Sequence, residues 1–349
     1  MPYARATISH ICFTGCARYG KIGRVQRYSN KPPISVLAAL STGFDTVTRQ
    51  LWLLVLPVGL DLFLWLGPRL KAASLWRLLS FDIPAGLDAQ TRLVAQQLQD
   101  TLREAFESFN WFVWLRPALF GVPGLVSGVE PGGLASQTRF EGQVNDPALL
   151  LGIVLLLAAI GIGLGGLYWS LIARQARDGR IDWGAALGRM PVVWSRLIGL
   201  AVLLIGLALV VWLPTTLIGL ALGSAVDFLG ALVFLSALML LMWLLFYATF
   251  SIHGIVLYNQ PVVNAVRASV WLVRTHVGSV FGLLIAFVAI DLGMRLIWSL
   301  APIDSWLWAA AIGGNAFVVA GLSMATMVFY LDRVPMPGSA LMPQQTQSV

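Results

Sequence analysis

Residues 259–276 read NQPVVNAVRASVWLVRTH and run directly into a long apolar segment. Pro261 is a helix start signal, and Arg267 and Arg274 interrupt apolar residues that recur at helical spacing. This pattern predicts a short amphipathic helix at a membrane surface that leads into a membrane crossing. We call such a helix an elbow.

Two further stretches repeat the design, residues 34–51 (ISVLAALSTGFDTVTRQL) and residues 181–198 (IDWGAALGRMPVVWSRLI). Each of the three begins with a Pro, Ser or Asp start signal, continues with an Ala–Leu or Ala–Val pair and carries an Arg before the apolar run. The chain is therefore predicted to be a threefold repeat, in which each elbow leads a pair of crossings.

The composition is that of a membrane protein. Of the 349 residues, 58% are hydrophobic and only 11% are charged, with a mean hydropathy of +0.79, whereas soluble domains carry about 25% charged residues. The solvent for most of the chain is therefore lipid, which requires helical crossings of about 20 residues. The net charge of +7 is spread over loops that flank crossings, so it does not indicate nucleic-acid binding.

Six segments are apolar enough to cross a membrane, and the predicted fold class is all-α integral membrane, built as three hairpins with elbows. Pro214 predicts a kink in the third crossing. The crossings cover about residues 51–66, 148–173, 197–222, 228–250, 277–300 and 306–331. The membrane domain is thus predicted over residues 34–331, between a basic tail (1–33) and a polar tail (332–349), both expected to be disordered.

A long hydrophilic insertion, residues 67–146, separates the first two crossings. Within it, residues 87–109 predict a helix with one apolar face, since apolar side chains recur every four residues at Val94, Leu98 and Leu102. Residues 117–129 are apolar but too few to span, and they are predicted to be interfacial or re-entrant.

The distribution of Lys and Arg predicts the orientation. Basic and acidic residues number seven and one through the first elbow, five and two over residues 174–196, and two and none in the third elbow. The insertion has seven basic and eight acidic residues. The positive-inside rule then predicts a multi-pass protein of the cytoplasmic (inner) membrane, with both termini in the cytoplasm and the insertion outside.

The third elbow resembles a known family through a set of residues within its sequence, namely Pro261, Ala265, Val266, Ser269, Leu272, Val273 and Arg274. It is similar to bacterial six-helix membrane proteins of the YciC-like kind and to the membrane domain attached to some glycerophosphodiester phosphodiesterases. The resemblance implies a fold of six helices with interfacial elbows over about residues 34–331, without the insertion. It implies no catalytic residues, because the phosphodiesterase chemistry belongs to a separate domain.

Glycines within the crossings predict close packing. Residues 161–166 (GIGLGG) formally match a dinucleotide-binding fingerprint, but they lie in the middle of a crossing instead of between a strand and a helix. The interpretation we favour is helix packing through small residues spaced by four, Gly161 with Gly165 and Gly219 with Gly223.

Four polar side chains within or beside the crossings could form a functional site. Asp291 and Arg295 are four residues apart, so they share one helix face and are predicted to pair. Asp61 could be a partner of Arg295, and Asn315 is expected to form interhelical hydrogen bonds. Together they either line a polar cavity near the outer side or act as structural groups near the interface.

No catalytic or metal-binding arrangement emerges. His10, Cys12 and Cys16 are three possible metal ligands in the basic tail, without a fourth. His253 and His276 flank the third elbow and are predicted to lie at headgroup level. No Ser–His–Asp arrangement can be argued, so we expect no catalytic residues, no metal and no cofactor.

The elbow arginines are candidate lipid contacts. Basic residues at headgroup level bind anionic lipids, and Arg49, Arg196, Arg267 and Arg274 occupy such positions. The alternative is that the elbows only anchor and orient the crossings.

These patterns predict a non-enzymatic membrane protein that acts as a scaffold or assembly component. The apolar face that begins at Val94 must be covered by the bundle, lipid or another chain, so the 67–146 insertion is the predicted contact for a protein partner. The alternative is a transporter or lipid-handling protein with a polar cavity near Asp61, Asp291, Arg295 and Asn315. The bilayer is the other expected partner, and oligomeric state does not follow from the sequence.

Overall fold

The computed structural model describes residues 33–76, 86, 89–128, 140–180, 183–223, 226–303 and 305–334. Most of the two predicted tails, with His10, Cys12 and Cys16, lies outside these residues. Within them the chain is mainly helical, with one small sheet of two parallel strands and connecting loops.

The described residues form ten α-helices and two strands, numbered here in chain order. The helices are α1 (Val36–Arg49), α2 (Val55–Leu66), α3 (Ala89–Ser108), α4 (Pro147–Asp178), α5 (Trp183–Gly223), α6 (Asp227–Ala248), α7 (Ser251–Tyr258), α8 (Val262–Thr275), α9 (Val277–Trp298) and α10 (Leu307–Arg333). Short 3₁₀ helices cover Leu51–Leu54, Ala73–Leu75 and Trp111–Leu115, and the strands are β1 (Arg69–Lys71) and β2 (Glu141–Gln143).

The helices are those of a multi-pass membrane protein. Five helical segments are long and apolar enough to cross a membrane, namely α4, α5, α6 together with α7, α9 and α10. A sixth candidate is the broken pair of α1 and residues 51–66, whose two halves are bent by 95°.

The first and third elbows are separate helices that end in the same way. Gln50 follows α1 with φ −135° and ψ 57°, and His276 follows α8 with φ −130° and ψ 36°. In both, the N–H of this residue still donates to a carbonyl of the preceding helix, at Val47 and Leu272. The repeat predicted from the sequence is therefore a structural repeat at these two positions.

The prediction that the second elbow is a separate helix is wrong. Residues 183–198 are the beginning of α5, which continues for 41 residues through Pro191 and Pro214. At about 1.5 Å per residue, α5 is about 62 Å long, which exceeds the thickness of a bilayer with its headgroups, about 45 Å.

Packing against α4 explains why α5 continues. Val193 and Leu197 are buried, and Trp194 donates its Nε1–H to the carbonyl of Ala159 at 2.8 Å. The continuous α5 keeps these contacts, which offset the hydrogen bond lost at Pro191.

The second half of α10 lies at the centre of the core, and α1, the first elbow, packs against it. α1 runs antiparallel to it: the N–H of Ile34 donates to Asp332 Oδ2 at 3.0 Å, while Gly43 lies against Gly321 and Ala325. The predicted surface elbow is thus only half at the surface, because one face of α1 is buried on α10.

The bundle has two ends. We call the end where α2 finishes and α4 and α10 begin the loop side, and the end where α4 finishes and α5 begins the elbow side. Trp65 near the end of α2 donates its Nε1–H to the carbonyl of Ile303, which joins α2 to the start of α10. The insertion is partly helical, as predicted, with α3 as its long helix.

Candidate functional site: a re-entrant loop held by charged side chains

Residues 111–128 leave the loop side, enter the bundle and return; we call them the re-entrant loop. Asn110 starts it, since its Oδ1 accepts from the N–H groups of Phe112 at 3.2 Å and of Leu70 on β1 at 3.1 Å. The chain reverses after Pro117, whose carbonyl accepts from the N–H of Gly121 at 2.7 Å.

The loop reaches deep between the helices. Its backbone at Leu115 lies against Gly161 of α4, and its backbone at Phe120 lies against Gly165. Gly165 is about 27 Å along α4 from Pro147, at about 1.5 Å per residue, and the hydrocarbon core is about 30 Å thick. Residues 117–128, which belong to the segment predicted to be interfacial or re-entrant, therefore turn back inside the helix bundle, and their depth in a membrane stays a prediction.

The contact predicted for Gly161 and Gly165 has a different partner from the one expected. A Cβ on Gly161 would lie 2.5 Å from the carbonyl oxygen of Leu115, and one on Gly165 would collide with that of Phe120. The glycines thus admit loop backbone, not a second helix. Exposed backbone is too costly in hydrocarbon, and burial against α4 gives the loop a protein environment.

The other glycine pair lies between helices, as predicted. Gly219 of α5 faces the ring of Phe234 on α6, and Gly223 faces the Cα of Gly230. Small residues on both helices let α5 and α6 approach closely near the loop side.

Asp61 on α2 holds the returning half of the loop. Its fully buried carboxylate accepts from the backbone N–H groups of Leu125 at 2.7 Å and Val126 at 3.2 Å, and from Arg116 Nη1. The predicted pairing of Asp61 with Arg295 is therefore wrong: the loop brings Arg116 to Asp61 and occupies its acceptor positions.

Two arginines satisfy the carbonyl groups of the same half. Arg116 donates from Nη2 to the carbonyl of Val126, and Arg295 of α9 donates from Nη2 to the carbonyl of Gly124 at 3.2 Å. Arg295 also donates from Nε to Asp291 Oδ2 at 2.8 Å, the pair that the spacing predicted. Charged groups from α2, the loop and α9 thus replace the water that the loop backbone lacks.

Asn315 on α10 makes no hydrogen bond to this network. It is fully buried, and neither atom of its amide has a hydrogen-bond partner within the described residues. Of the four predicted cavity residues, Asp61 and Arg295 therefore hydrogen-bond to the loop and Asp291 pairs with Arg295, whereas Asn315 is a buried amide outside this hydrogen-bond network.

The four elbow arginines fall into two groups, three that are exposed and one that holds a turn of the protein. Arg49, Arg267 and Arg274 are exposed, as lipid contact requires. Arg196 donates from Nη1 to the carbonyl and, at 2.6 Å, to Oδ1 of Asn259, which has a positive φ of 51°. Arg196 therefore fixes the turn from α7 into the third elbow.

His253 lies inside the bundle and not on its surface, while its level in a membrane stays a prediction. It is buried, its Nε2 lies 3.0 Å from Thr326 Oγ1 of α10, and its ring stacks on Tyr330. A histidine that flanks the third elbow is buried here because α7 packs against α10.

Sequence reasoning missed Arg116, the residue that completes the network. A signal was present: an arginine immediately before an apolar segment too short to span, and an aspartate in a crossing without a local partner. Intramembrane charges require such a partner.

A second candidate feature is α3, in the part of the insertion outside the candidate spans. Val94, Leu98 and Leu102 are 57%, 52% and 44% exposed, although they form one apolar stripe. Arg92 and Gln99, which are polar, are less exposed than this stripe. The helix thus presents apolar side chains away from the protein.

Neither a metal site within the described residues nor a known relative gives a further indication of function. Groups of three or more His, Cys, Asp or Glu side chains able to hold a metal ion do not occur in the described part of the chain. No family model, curated protein or solved structure matches this chain.

Proposed function

We propose that this chain is a non-enzymatic membrane protein that binds a protein partner through α3, as a scaffold or assembly component. The observation that carries the proposal is the exposed apolar stripe of Val94, Leu98 and Leu102. Burial of apolar surface drives most protein association, and exposed apolar patches mark interaction sites.

The stripe is presented from a fixed base. Phe106, one turn after Leu102, packs in a cluster with Leu75, Val144 and Leu150 at the loop side. Its ring also meets that of Trp111 edge-on, with centroids 5.5 Å apart. Because the base is already ordered, a partner that covers the remaining stripe loses little free energy in ordering it.

The charge of α3 favours a protein over the bilayer as the occupant. Helices that bind membrane surfaces carry Lys and Arg on the polar face, whereas Asp100 and Glu104 are exposed here and the helix as a whole has three acidic and two basic residues. The partner that fits is an amphipathic helix of another protein, with an apolar stripe and basic flanks.

The proposed setting is the cytoplasmic membrane, with the elbow side in the cytoplasm and α3 outside. The excess of Lys and Arg in the elbow-side segments supports this orientation. The resemblance to the six-helix family stays a prediction.

Site-specific photo-crosslinking in living cells tests the partner. A photoreactive amino acid at Leu98 should give a discrete protein adduct that Val94→Asp abolishes, while the same group at exposed, polar Gln96 should give none. Mass spectrometry of the adduct should identify a chain with a basic amphipathic helix. Adducts with lipid alone, with a second copy of this chain, or equally from Gln96 would overturn the proposal.

Transport or lipid handling is a second candidate, favoured by the re-entrant loop. Irregular backbone at membrane depth occurs where it lines a pathway, and helix breaks like that after Gln50 are common in transporters. In a transporter the loop must open at some stage of the cycle.

Accessibility of Phe120 at the tip of the loop tests this candidate. With Cys12 and Cys16 replaced by Ser, Phe120→Cys should react with a membrane-impermeant thiol reagent from one side if the loop opens. A cysteine at exposed Ser127 is the positive control. Complete protection of Phe120→Cys over hours, with Ser127→Cys labelled, contradicts transport through the loop.

A further inference from the structure

A pocket on the elbow side combines positive charge with an apolar floor. It lies between the last turns of α4, the beginning of α5 and the end of α7. Its polar lining residues are Ser170, Arg174, Arg177 and Arg189, and its apolar lining, called its floor here, includes Ala173 and Val193.

Two of the three arginines are held in place by the protein. Arg174 donates from Nη2 to the carbonyl of Ala185 at 2.6 Å, and Arg177 donates from Nη1 to the carbonyl of Leu257 at 3.1 Å. Arg177 also donates from Nε and Nη2 to Asp178, with both distances 2.9 Å. These contacts connect the pocket walls, since Ala185 belongs to α5 and Leu257 to α7.

Arg189 is the remaining donor. It is exposed, and the structure gives its guanidinium no hydrogen-bond partner within the residues described. Residues 174–189 contain four arginines and two acidic residues, Asp178 and Asp182, so this segment has a net positive charge, and no acidic side chain is among the described lining residues of the pocket. A guanidinium with free donors beside two fixed ones suits a multivalent oxyanion.

The depth of the pocket agrees with a phosphate at the membrane surface. Ser170 and Arg177 lie about 35 Å and about 45 Å along α4 from Pro147, at about 1.5 Å per residue. Because the hydrocarbon core is about 30 Å thick and the headgroups extend the bilayer to about 45 Å, a protein whose α4 starts near one interface has this pocket at the opposite headgroup level.

We propose that this pocket is a binding site for a phosphate group, either in the headgroup of an anionic phospholipid or in a free phosphate ester. Arg189 closes on the phosphate oxygens, Arg174 and Arg177 supply fixed charge, and the apolar floor receives the carbon atoms next to the phosphate. The site is independent of α3, which lies on the other side of the bundle.

The test uses the purified full-length protein and the matched pair Arg189→Gln and Arg180→Gln. Both arginines are exposed and close in sequence, but only Arg189 lines the pocket. Native mass spectrometry measures the binding of added phosphatidylglycerol and phosphatidylcholine, and thermal unfolding measures the effect of inorganic phosphate. Unchanged unfolding without ligand shows that each variant is folded.

The two sources of phosphate give different results. If the site takes a lipid headgroup, phosphatidylglycerol binds in preference to phosphatidylcholine, and Arg189→Gln weakens it about five-fold while Arg180→Gln leaves it nearly unchanged. If the site takes a free phosphate ester, inorganic phosphate raises the unfolding temperature of the wild type but not of Arg189→Gln. Equal losses in both variants, or no response of either ligand to Arg189→Gln, overturn the proposal.

Discussion

The last two helices, α9 and α10, follow each other in the chain. The more apolar of the two, α9, is the less buried one. The most apolar window of α9 has a mean hydropathy of 2.2, yet only 11% of it is buried inside the protein. The corresponding window of α10 has a mean hydropathy of 1.6, and 78% of it is buried. The less apolar helix therefore forms the core.

The reason is that lipid is as apolar as the protein interior, so apolar side chains gain little by leaving it. Helices associate through close packing and hydrogen bonds instead. α10 offers both: Gly321 admits the ring of Phe44 from α1, and Thr326 meets His253 from α7. Burial in this protein thus follows shape and polarity, and hydropathy indicates only where lipid is the solvent.

The largest effect expected from this difference concerns charges. Asp61→Ala leaves Arg116 and two loop N–H groups without their buried acceptor, so we expect a loss of about 3–5 kcal/mol in the free energy of unfolding. Asp291→Asn removes a charge whose side chain is partly exposed beside Arg295 on α9, so we expect at most about 1 kcal/mol. Unfolding in mild detergent measures both, and equal losses would contradict a loop-holding role for Asp61.

A leucine pair tests the comparison of α10 with α9 directly. Leu322 of α10 is fully buried and Leu296 of α9 is 71% exposed. Truncation to Ala should cost about 2–4 kcal/mol at Leu322, where a cavity remains, and much less at Leu296, where lipid fills the space. A loss at Leu296 that equals the loss at Leu322 would mean that a second protein surface covers α9.

The smallest expected effect separates two glycines. A Cβ on Gly43 of α1 would lie 2.6 Å from the carbonyl oxygen of Gly321 and 2.7 Å from the N of Ala325, whereas one on Gly293 of α9 would meet nothing within 4 Å. We expect Gly43→Ala to cost about 1–3 kcal/mol because backbone must shift. Gly293→Ala should be neutral or stabilising by up to about 1 kcal/mol. Thermal unfolding of the two variants measures both effects. Changes in unfolding temperature of opposite sign would sharpen the contrast between α1 and α9.

Local features were predictable from the sequence because they depend on neighbours along the chain. The spacing of Asp291 and Arg295 predicted their ion pair, and the period of Val94, Leu98 and Leu102 predicted one apolar face of α3. The composition of residues 117–129 excluded a span and left a re-entrant loop as one of two possibilities.

Long-range contacts were not predictable. Asp61 and Arg116 are 55 residues apart, and Ile34 and Asp332 are 298 apart. No local pattern indicates that Gly165 admits the backbone of Phe120 instead of a second helix, since glycines at a spacing of four fit either partner. The helix start signals at residues 181–198 also did not show that this segment packs on α4 and is continuous with the rest of α5.

The sequence alone determined which segments are apolar enough to enter lipid, because the free energy of transfer from water into hydrocarbon depends on each segment's own side chains and is large. Only the tertiary structure decided which of these segments lie inside. Among apolar helices in an apolar solvent, that choice depends on steric fit and on partners for a few polar groups, which distant parts of the chain supply.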